Sequence, residues 1–319
     1  MSSNTTRVYF AADVHGSERV WRKWLAVPKF YKANILILAG DLTGKSIVPL
    51  IEQKDGTYTC KIFGRRMVAH NKHEVEKVEE DIRFSGYYPI VCTPKEVEEL
   101  QKNPRKLNEL FEKVMVDNIK RWLDLIEEHV PKDVKVVVMP GNDDTFAIDD
   151  VIKEHERVIY PLGKAVPLCF DYEMISMDWT NPTPWNSPRE CSEKELWKKL
   201  EKLVDLVSVD WNKVICNFHC PPYQTLLDLA PKLDKELKPV YVLGQPVRIH
   251  VGSKSVRKFE EKYQPMLGLH GHIHESYASD HVGKTLVVNP GSEYTEGILR
   301  GFILDFTKDK IERWWKVEG

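Results

Sequence analysis

Acidic, imidazole and amide side chains recur in five short clusters: Asp13-Val14-His15, Gly40-Asp41, Gly141-Asn142-Asp143-Asp144, Phe218-His219 and His270-Gly271-His272-Ile273-His274. Asp, His and Asn are ligands for divalent cations, and three imidazoles within five residues are costly to bury unless they hold one. A mixed nitrogen and oxygen set without thiolates suits Mn, Fe, Zn, Ni or Co better than a structural zinc. Each cluster alone has an ordinary reading. Asp13 can cap a helix, Asp41 can serve a turn, and Gly141-Asn142 is common turn chemistry. Together they supply enough donors for two metal ions.

The clusters follow elements able to position them. Arg7 to Ala12, Asn34 to Ala39 and Val134 to Met139 are short apolar runs of the buried-strand type. Between the first two, Ser17 to Val27 reads as a helix with Ser17 as N-cap and Pro28 as its stop. This strand, helix, strand order places the polar clusters at the carboxyl ends of strands, where open α/β sheets build their sites. Further strands are expected over Ala165 to Met177, Lys213 to Phe218, Val240 to Ile249, Met266 to Leu269, Thr285 to Val288 and Leu299 to Phe306. Helices are expected over Arg189 to Val207 and Ser253 to Tyr263.

One stretch breaks the rhythm. Thr57 to Val68 reads as a hairpin turning near Phe63-Gly64, followed by helices over Lys72 to Ile82, Pro94 to Gln101 and Pro104 to Val130. The expectation is a single domain over 1–319 with an insertion at approximately 45–131. That insertion is a candidate cap on the cleft or a homo-oligomer contact.

Composition narrows the function. Against 48 Asp and Glu stand 46 Lys and Arg, a formal charge of −2, so there is no strong nucleic-acid signal of the domain-wide basic kind. The six cysteines include no C-x-x-C pair. Cys216 and Cys220 bracket His219, yet they read as small buried hydrophobes. The opening MSSNTTRVYF has no apolar core of signal-peptide length, and no apolar run reaches the ~18 residues of a membrane span. A cytoplasmic location and no membrane partner are therefore expected.

The ordered clusters resemble the motifs of the calcineurin-like metallophosphoesterase superfamily: D-x-H, G-D, G-N-x-D/E, a lone H and G-H-x-H. They span Asp13 to His274 in this chain. The resemblance implies a four-layer α/β/β/α sandwich of two mixed sheets, with two divalent metal ions, Mn²⁺ foremost and Fe, Zn, Ni or Co as alternatives. It implies Asp13, His15 and His274 on one ion, Asn142, His219 and His272 on the other, and Asp41 bridging. Asp144 would orient a ligand histidine from behind. The implied activity is hydrolysis of a phosphomonoester or phosphodiester, a small phosphorylated or nucleotide substrate, by in-line attack of a metal-bound hydroxide. A non-catalytic scaffold of the same fold and a nuclease are the alternatives.

The chain departs from the pattern at Asp143, where many relatives carry a histidine that assists the leaving group. A carboxylate beside two cations is a poor proton donor. His270 and His250 are the candidate replacements. The stretch from His250 to Arg257, entering a helix at Ser253, offers a candidate phosphate cradle through Ser253 and Arg257.

Overall fold

Runs that are apolar at every position become strands covered on both faces. The computed structural model, which describes residues 5–319, buries all of Ile35–Ala39 in this way. That strand is the fourth in a five-stranded sheet whose order is Ile311–Glu318, Arg300–Phe306, Thr6–Ala11, Ile35–Ala39 and Lys135–Met139. The last three strands run parallel and the two C-terminal strands run antiparallel to their neighbours. A second, six-stranded mixed sheet has the order Ala278–Val282, Thr285–Asn289, Leu267–Leu269, Val214–Phe218, Tyr172–Met177 and Val166–Cys169.

Strand alternation divides the core into layers. Val8, Phe10, Ile35, Ile37, Val137 and Met139 face the second sheet and meet Met174, Ile215, Leu267, Leu269 and Val288. Their neighbours Tyr9, Ala11, Leu36, Leu38, Val136 and Val138 face outward onto helices Glu18–Tyr31 and Pro104–His129. Helices Glu193–Val204 and Lys254–Tyr263 cover the far side of the second sheet, with Cys216 and Cys220 in that layer as apolar filling. The result is an α/β/β/α sandwich of two mixed sheets.

Several local expectations change. Pro28 does not stop its helix, which runs on to Tyr31 and ends at a left-handed Lys32. Proline forgoes one helical hydrogen bond there. The buried stack of Trp24 on Trp21 and of Trp21 on Trp122, with ring centres 5.0 and 4.7 Å apart, packs the same helix against the core. The run Val240 to Ile249 is not one strand. It reverses at Leu243-Gly244, both at positive φ, into a two-residue hairpin followed by Arg248–His250. The helix expected from Arg189 begins only at Glu193, behind a Ser192 capping box.

Residues 45–131 hold more structure than a hairpin and helices. Strands Ile47–Glu52, Tyr58–Ile62, Arg65–Ala69 and Tyr88–Cys92 form a separate four-stranded sheet. It packs on helix Lys72–Phe84 around Val48, Leu50, Cys60, Ala69, Val75, Val78 and Ile82. The second half of helix Pro104–His129 instead buries Ile119, Trp122, Leu123 and Ile126 in the main sandwich.

Candidate metal centre

Each of the five clusters leaves the carboxyl end of a strand, and all five loops meet at one edge of the sandwich. Asp13 and His15 follow Thr6–Ala11, Asp41 follows Ile35–Ala39, and Asn142 follows Lys135–Met139. His219 follows Val214–Phe218, and His272 and His274 follow Leu267–Leu269. One donor group contains Asp13, His15, Asp41 and His274, and a second contains Asp41, His219 and His272, with donor atoms within 4.8 Å in each. Asp41 is common to both. Asn142 joins the second group, its Oδ1 lying 3.0 Å from His219 Nε2. Its Nδ2 donates to Ser187 Oγ at 2.6 Å and to Asp143 Oδ1 at 3.1 Å, so the amide oxygen is the atom turned inward.

The backbone is bent to make this convergence. Asp13, His15, Asp41 and His272 all have positive φ (58°, 40°, 51° and 68°), a region that non-glycine residues seldom occupy. Such strain concentrates at functional sites. The motif glycines let neighbouring loops approach. A Cβ on Gly40 (φ +94°) would lie 2.1 Å from His219 Nδ1, and one on Gly141 would lie 2.3 Å from Asp41 Oδ1. A Cβ on Gly271 would lie 2.6 Å from Asp13 Oδ2.

The donor chemistry fits divalent cations. His15 Nε2 and His274 Nε2 face each other at 2.9 Å. The carboxylates of Asp13 and Asp41 stand 3.4 to 3.8 Å from the imidazole nitrogens of His15, His219 and His274. Those separations are long for direct hydrogen bonds and match ligands disposed around a common ion. His15 Nδ1 is buried without a hydrogen-bond partner among the described residues. Burial alone would lower His219, but Asp41 and Asp13 push it up to about 10. Burial, reinforced by His219, pushes His272 down to about 3. Burial raises the Asp41 carboxyl. It opposes ionisation of Asp13 too, yet His274 and His219 hold that carboxyl below its ordinary value.

The remaining expected residues take other places. Asp144, expected to orient a ligand histidine, has no hydrogen bond to an imidazole among the described residues. Its carboxylate accepts from the Leu42, Thr43 and Gly141 amides and from the Thr43 hydroxyl at 2.7 to 3.1 Å, tying the Asp41 loop to the Asn142 loop. His270 is fully buried, so its ring is out of reach of a substrate. Its Nδ1 faces the Phe218 and Cys220 carbonyls at 2.9 and 3.0 Å, and its Nε2 faces Glu260 at 3.0 Å. His250 is bound at 2.7 Å to Asp228, which also receives the Gly252 amide and so braces that loop.

The expected phosphate cradle is already filled. Ser253 caps helix Lys254–Tyr263, and the Glu193 carboxylate takes the Ser253 hydroxyl and the Lys254 and Ser255 amides at 2.8 to 2.9 Å. Arg257 is spent on Glu261 and on the Tyr223 and Gln224 carbonyls. An internal carboxylate thus occupies the place proposed for phosphate. Asn289 supports the histidine turn, donating to the Gly271 and Ile273 carbonyls at 3.2 and 3.1 Å.

Two residues beside the centre escaped the sequence reading. The Lys45 ammonium lies 3.2 Å from Asp143 Oδ2, with about half its side chain exposed. Burial alone would lower its pKa, but Asp143, Tyr294 and Asp41 raise it. The ring of Tyr294 sits 4.8 Å from that of His15 and 5.9 Å from that of His274. For Lys45 a signal was present: it stands four residues after Asp41, in the loop leaving the same strand.

No protein-family model matches the chain. The uncharacterized protein MJ1162 of Methanocaldococcus jannaschii is 33% identical over 159 residues, which is 49% of this chain and 64% of that protein. The matched region thus spans less than two thirds of the relative's length. One crystal structure superposes with a TM-score of 0.58 at 17% identity, covering 98% of this chain and 99% of the other. The structure of TT1561 of Thermus thermophilus superposes at 0.51 and 13% identity, covering 95% and 99%. These likenesses bear on the fold alone, an α/β/β/α sandwich of two mixed sheets. No helix among the described residues is long and apolar enough to cross a membrane.

Proposed function

We propose that this chain, built on the calcineurin-like metallophosphoesterase fold, is a metal-dependent phosphoesterase acting on a small phosphorylated or nucleotide substrate. The observation that carries the reading is the sharing of Asp41 between two buried donor groups. In this reading Asp13, His15 and His274 hold one divalent cation, Asn142, His219 and His272 hold a second, and Asp41 serves both. Such a pair supplies Lewis-acid stabilisation of phosphate oxygens and a water acidified to near neutrality. Mn²⁺ is the first candidate for an oxygen-and-imidazole set of this kind.

The protein's own part is to fix and shield these donors. Asp144 locks two of the loops together through backbone amides. Ser187, itself bound to Glu190 at 2.5 Å, sets the Asn142 amide. Ser292 donates to the Asp13 carbonyl at 2.6 Å. All seven donor positions are filled, which favours an enzyme over a non-catalytic scaffold. We read residues 1–319 as one unit in which the 45–131 insertion buttresses the Asp41 loop. Tyr88 from that insertion accepts the Gly44 amide at 2.8 Å, which supports the assignment.

Steady-state hydrolysis of bis-p-nitrophenyl phosphate by Mn²⁺-loaded protein, with Asp41→Asn beside it, tests the reading. Metal-dependent turnover abolished by the substitution is expected. A variant that keeps both its metal and its rate would overturn the assignment. Absence of turnover on the diester and on p-nitrophenyl phosphate, with metal bound, would count against the enzyme.

A further inference from the structure

We propose that the Lys45 ammonium, held by Asp143 at the mouth of the donor cluster, protonates the departing oxygen, which fits the protein to phosphoesters of unactivated alcohols. The assignment rests on the phosphoesterase reading and adds to it a proton donor and a substrate class.

A survey of the groups around the centre leads to this lysine. The four imidazoles of His15, His219, His272 and His274 are turned into the donor cluster. His270 and His250 are committed to Glu260 and Asp228. Arg189 is buried between Asp178 and Asp149 at 2.6 Å, and Arg257 is bound to carbonyls. Lys45 differs from all of these. Its ammonium pairs at 3.2 Å with Asp143, the neighbour of Asn142, and the Asp143 amide donates to Asp41, the carboxylate shared by both donor groups. Its side chain remains about half exposed, so a substrate can reach it.

Its placement is built rather than incidental. Asp143 holds the ammonium from one side, and the Asp143 amide donates to Asp41 Oδ1 at 3.0 Å, linking the lysine's partner to the shared donor. On the other side the Lys45 loop is pinned by the Gly44 amide on Tyr88 Oη. Lysine is protonated at neutral pH and is a far stronger acid than an alcohol. In the step, the phosphorus–oxygen ester bond breaks and the oxygen keeps the electron pair. That oxygen takes a proton from Nζ and leaves as the alcohol. Water supplies the new oxygen on phosphorus, and the neutral amine regains its proton from solvent. Asp143 is the positioning residue.

The test compares Lys45→Met, Lys45→Arg and the parent protein, all Mn²⁺-loaded, on phosphomonoesters whose leaving groups run from p-nitrophenol to methanol. Lys45→Met is expected to lose ~10²-fold or more in kcat on the methyl ester and to stay within about threefold on the p-nitrophenyl ester. Lys45→Arg should behave like Lys45→Met, since arginine keeps the charge but is a much weaker acid. Asp143→Asn should give an intermediate loss on the methyl ester. Orthophosphate affinity by calorimetry and the unfolding midpoint should be unchanged in Lys45→Met. Equal losses on both esters, with weaker orthophosphate binding, would overturn the proposal and make Lys45 an anion-binding residue. Rescue by arginine would do the same. Silence of the parent protein toward every ester would overturn the phosphoesterase reading itself.

Discussion

The sandwich and the 45–131 insertion solve the same problem, holding a loop still, by different means. In the sandwich the loops spring from strands such as Ile35–Ala39, buried at every residue. They are cross-tied by the fully buried Asp144. The insertion has one small apolar cluster, and none of the residues in its helix Pro94–Lys102 is buried. That helix depends on a Thr93–Glu96 capping box and on exposed ion pairs such as Lys102–Glu98. Pairs of that kind contribute little. The insertion nevertheless reaches the centre through Tyr88 and through the Phe84 carbonyl, which accepts the Ser17 hydroxyl at 2.8 Å. Bulk packing therefore secures the metal donors, whereas single hydrogen bonds secure Lys45.

The contrast can be broken most severely at Gly40. Gly40→Ala would set a Cβ 2.1 Å from the His219 ring at a φ of +94°. Loss of Mn²⁺ uptake in equilibrium dialysis, loss of turnover and about 1–3 kcal/mol of destabilisation are expected. Retained uptake would show that the loops yield. Next comes Arg189→Met, which strands the buried Asp178 carboxylate and the mostly buried Asp149. Urea unfolding should show a loss of about 3–5 kcal/mol. A loss as small as a surface substitution gives would place little weight on that network.

Tyr88→Phe sharpens the comparison from the insertion's side. The Gly44 amide loses its buried acceptor, worth about 1–3 kcal/mol, while no metal donor is disturbed. Metal content should hold, and turnover should fall more on methyl than on p-nitrophenyl esters. Equal turnover on both would separate the insertion from Lys45.

The mildest effect concerns pH. Burial alone would raise the Asp305 carboxyl, yet its hydrogen bonds with Arg7 and Arg313 hold it below its ordinary 3.8. A depressed carboxyl contributes stability that is complete above the unfolded value and is lost as pH falls through the folded one. The thermal stability difference between the parent and Asp305→Asn should thus be constant from neutrality to about pH 5 and shrink below about pH 4. A difference that grew on acidification would contradict the sign.

What the sequence reveals of this molecule follows burial. Strands covered on both faces, such as Ile35–Ala39, announce themselves as unbroken apolar runs. The donor loops are legible because their residue types are chemically expensive and recur in order. Strands Ile47–Glu52 and Tyr88–Cys92 are hidden by Pro49 and Pro89, residues that ordinarily end strands. They are tolerated at the open side of a small sheet, where the neighbouring strand pairs only with Ile51 and Glu52 and Tyr88–Cys92 forms the edge. Strand Ile311–Glu318 is hidden differently. It is an edge whose charged residues alternate with Ile311, Trp315 and Val317. His250, Ser253, Arg257 and His270 mislead because motif chemistry does not reveal an internal partner. Glu193, sixty residues before Ser253, has no local signature that would couple it to that helix.

The motif glycines carry a last consequence. The Gly40 backbone lies against His219, that of Gly141 against Asp41, and that of Gly271 against Asp13, so each loop rests on a donor belonging to another. With the Asp13 amide on the Gly40 carbonyl and the Gly271 amide on the His219 carbonyl, four loops close an interlocked ring, and the Asn142 loop joins it at Asp41. Dilating the centre for a larger ion must move several loops at once, against two packed sheets. Any ion bound there would thus have its radius judged by the ring as a whole, and transplanting any one motif onto another scaffold would carry over its donors without their gauge.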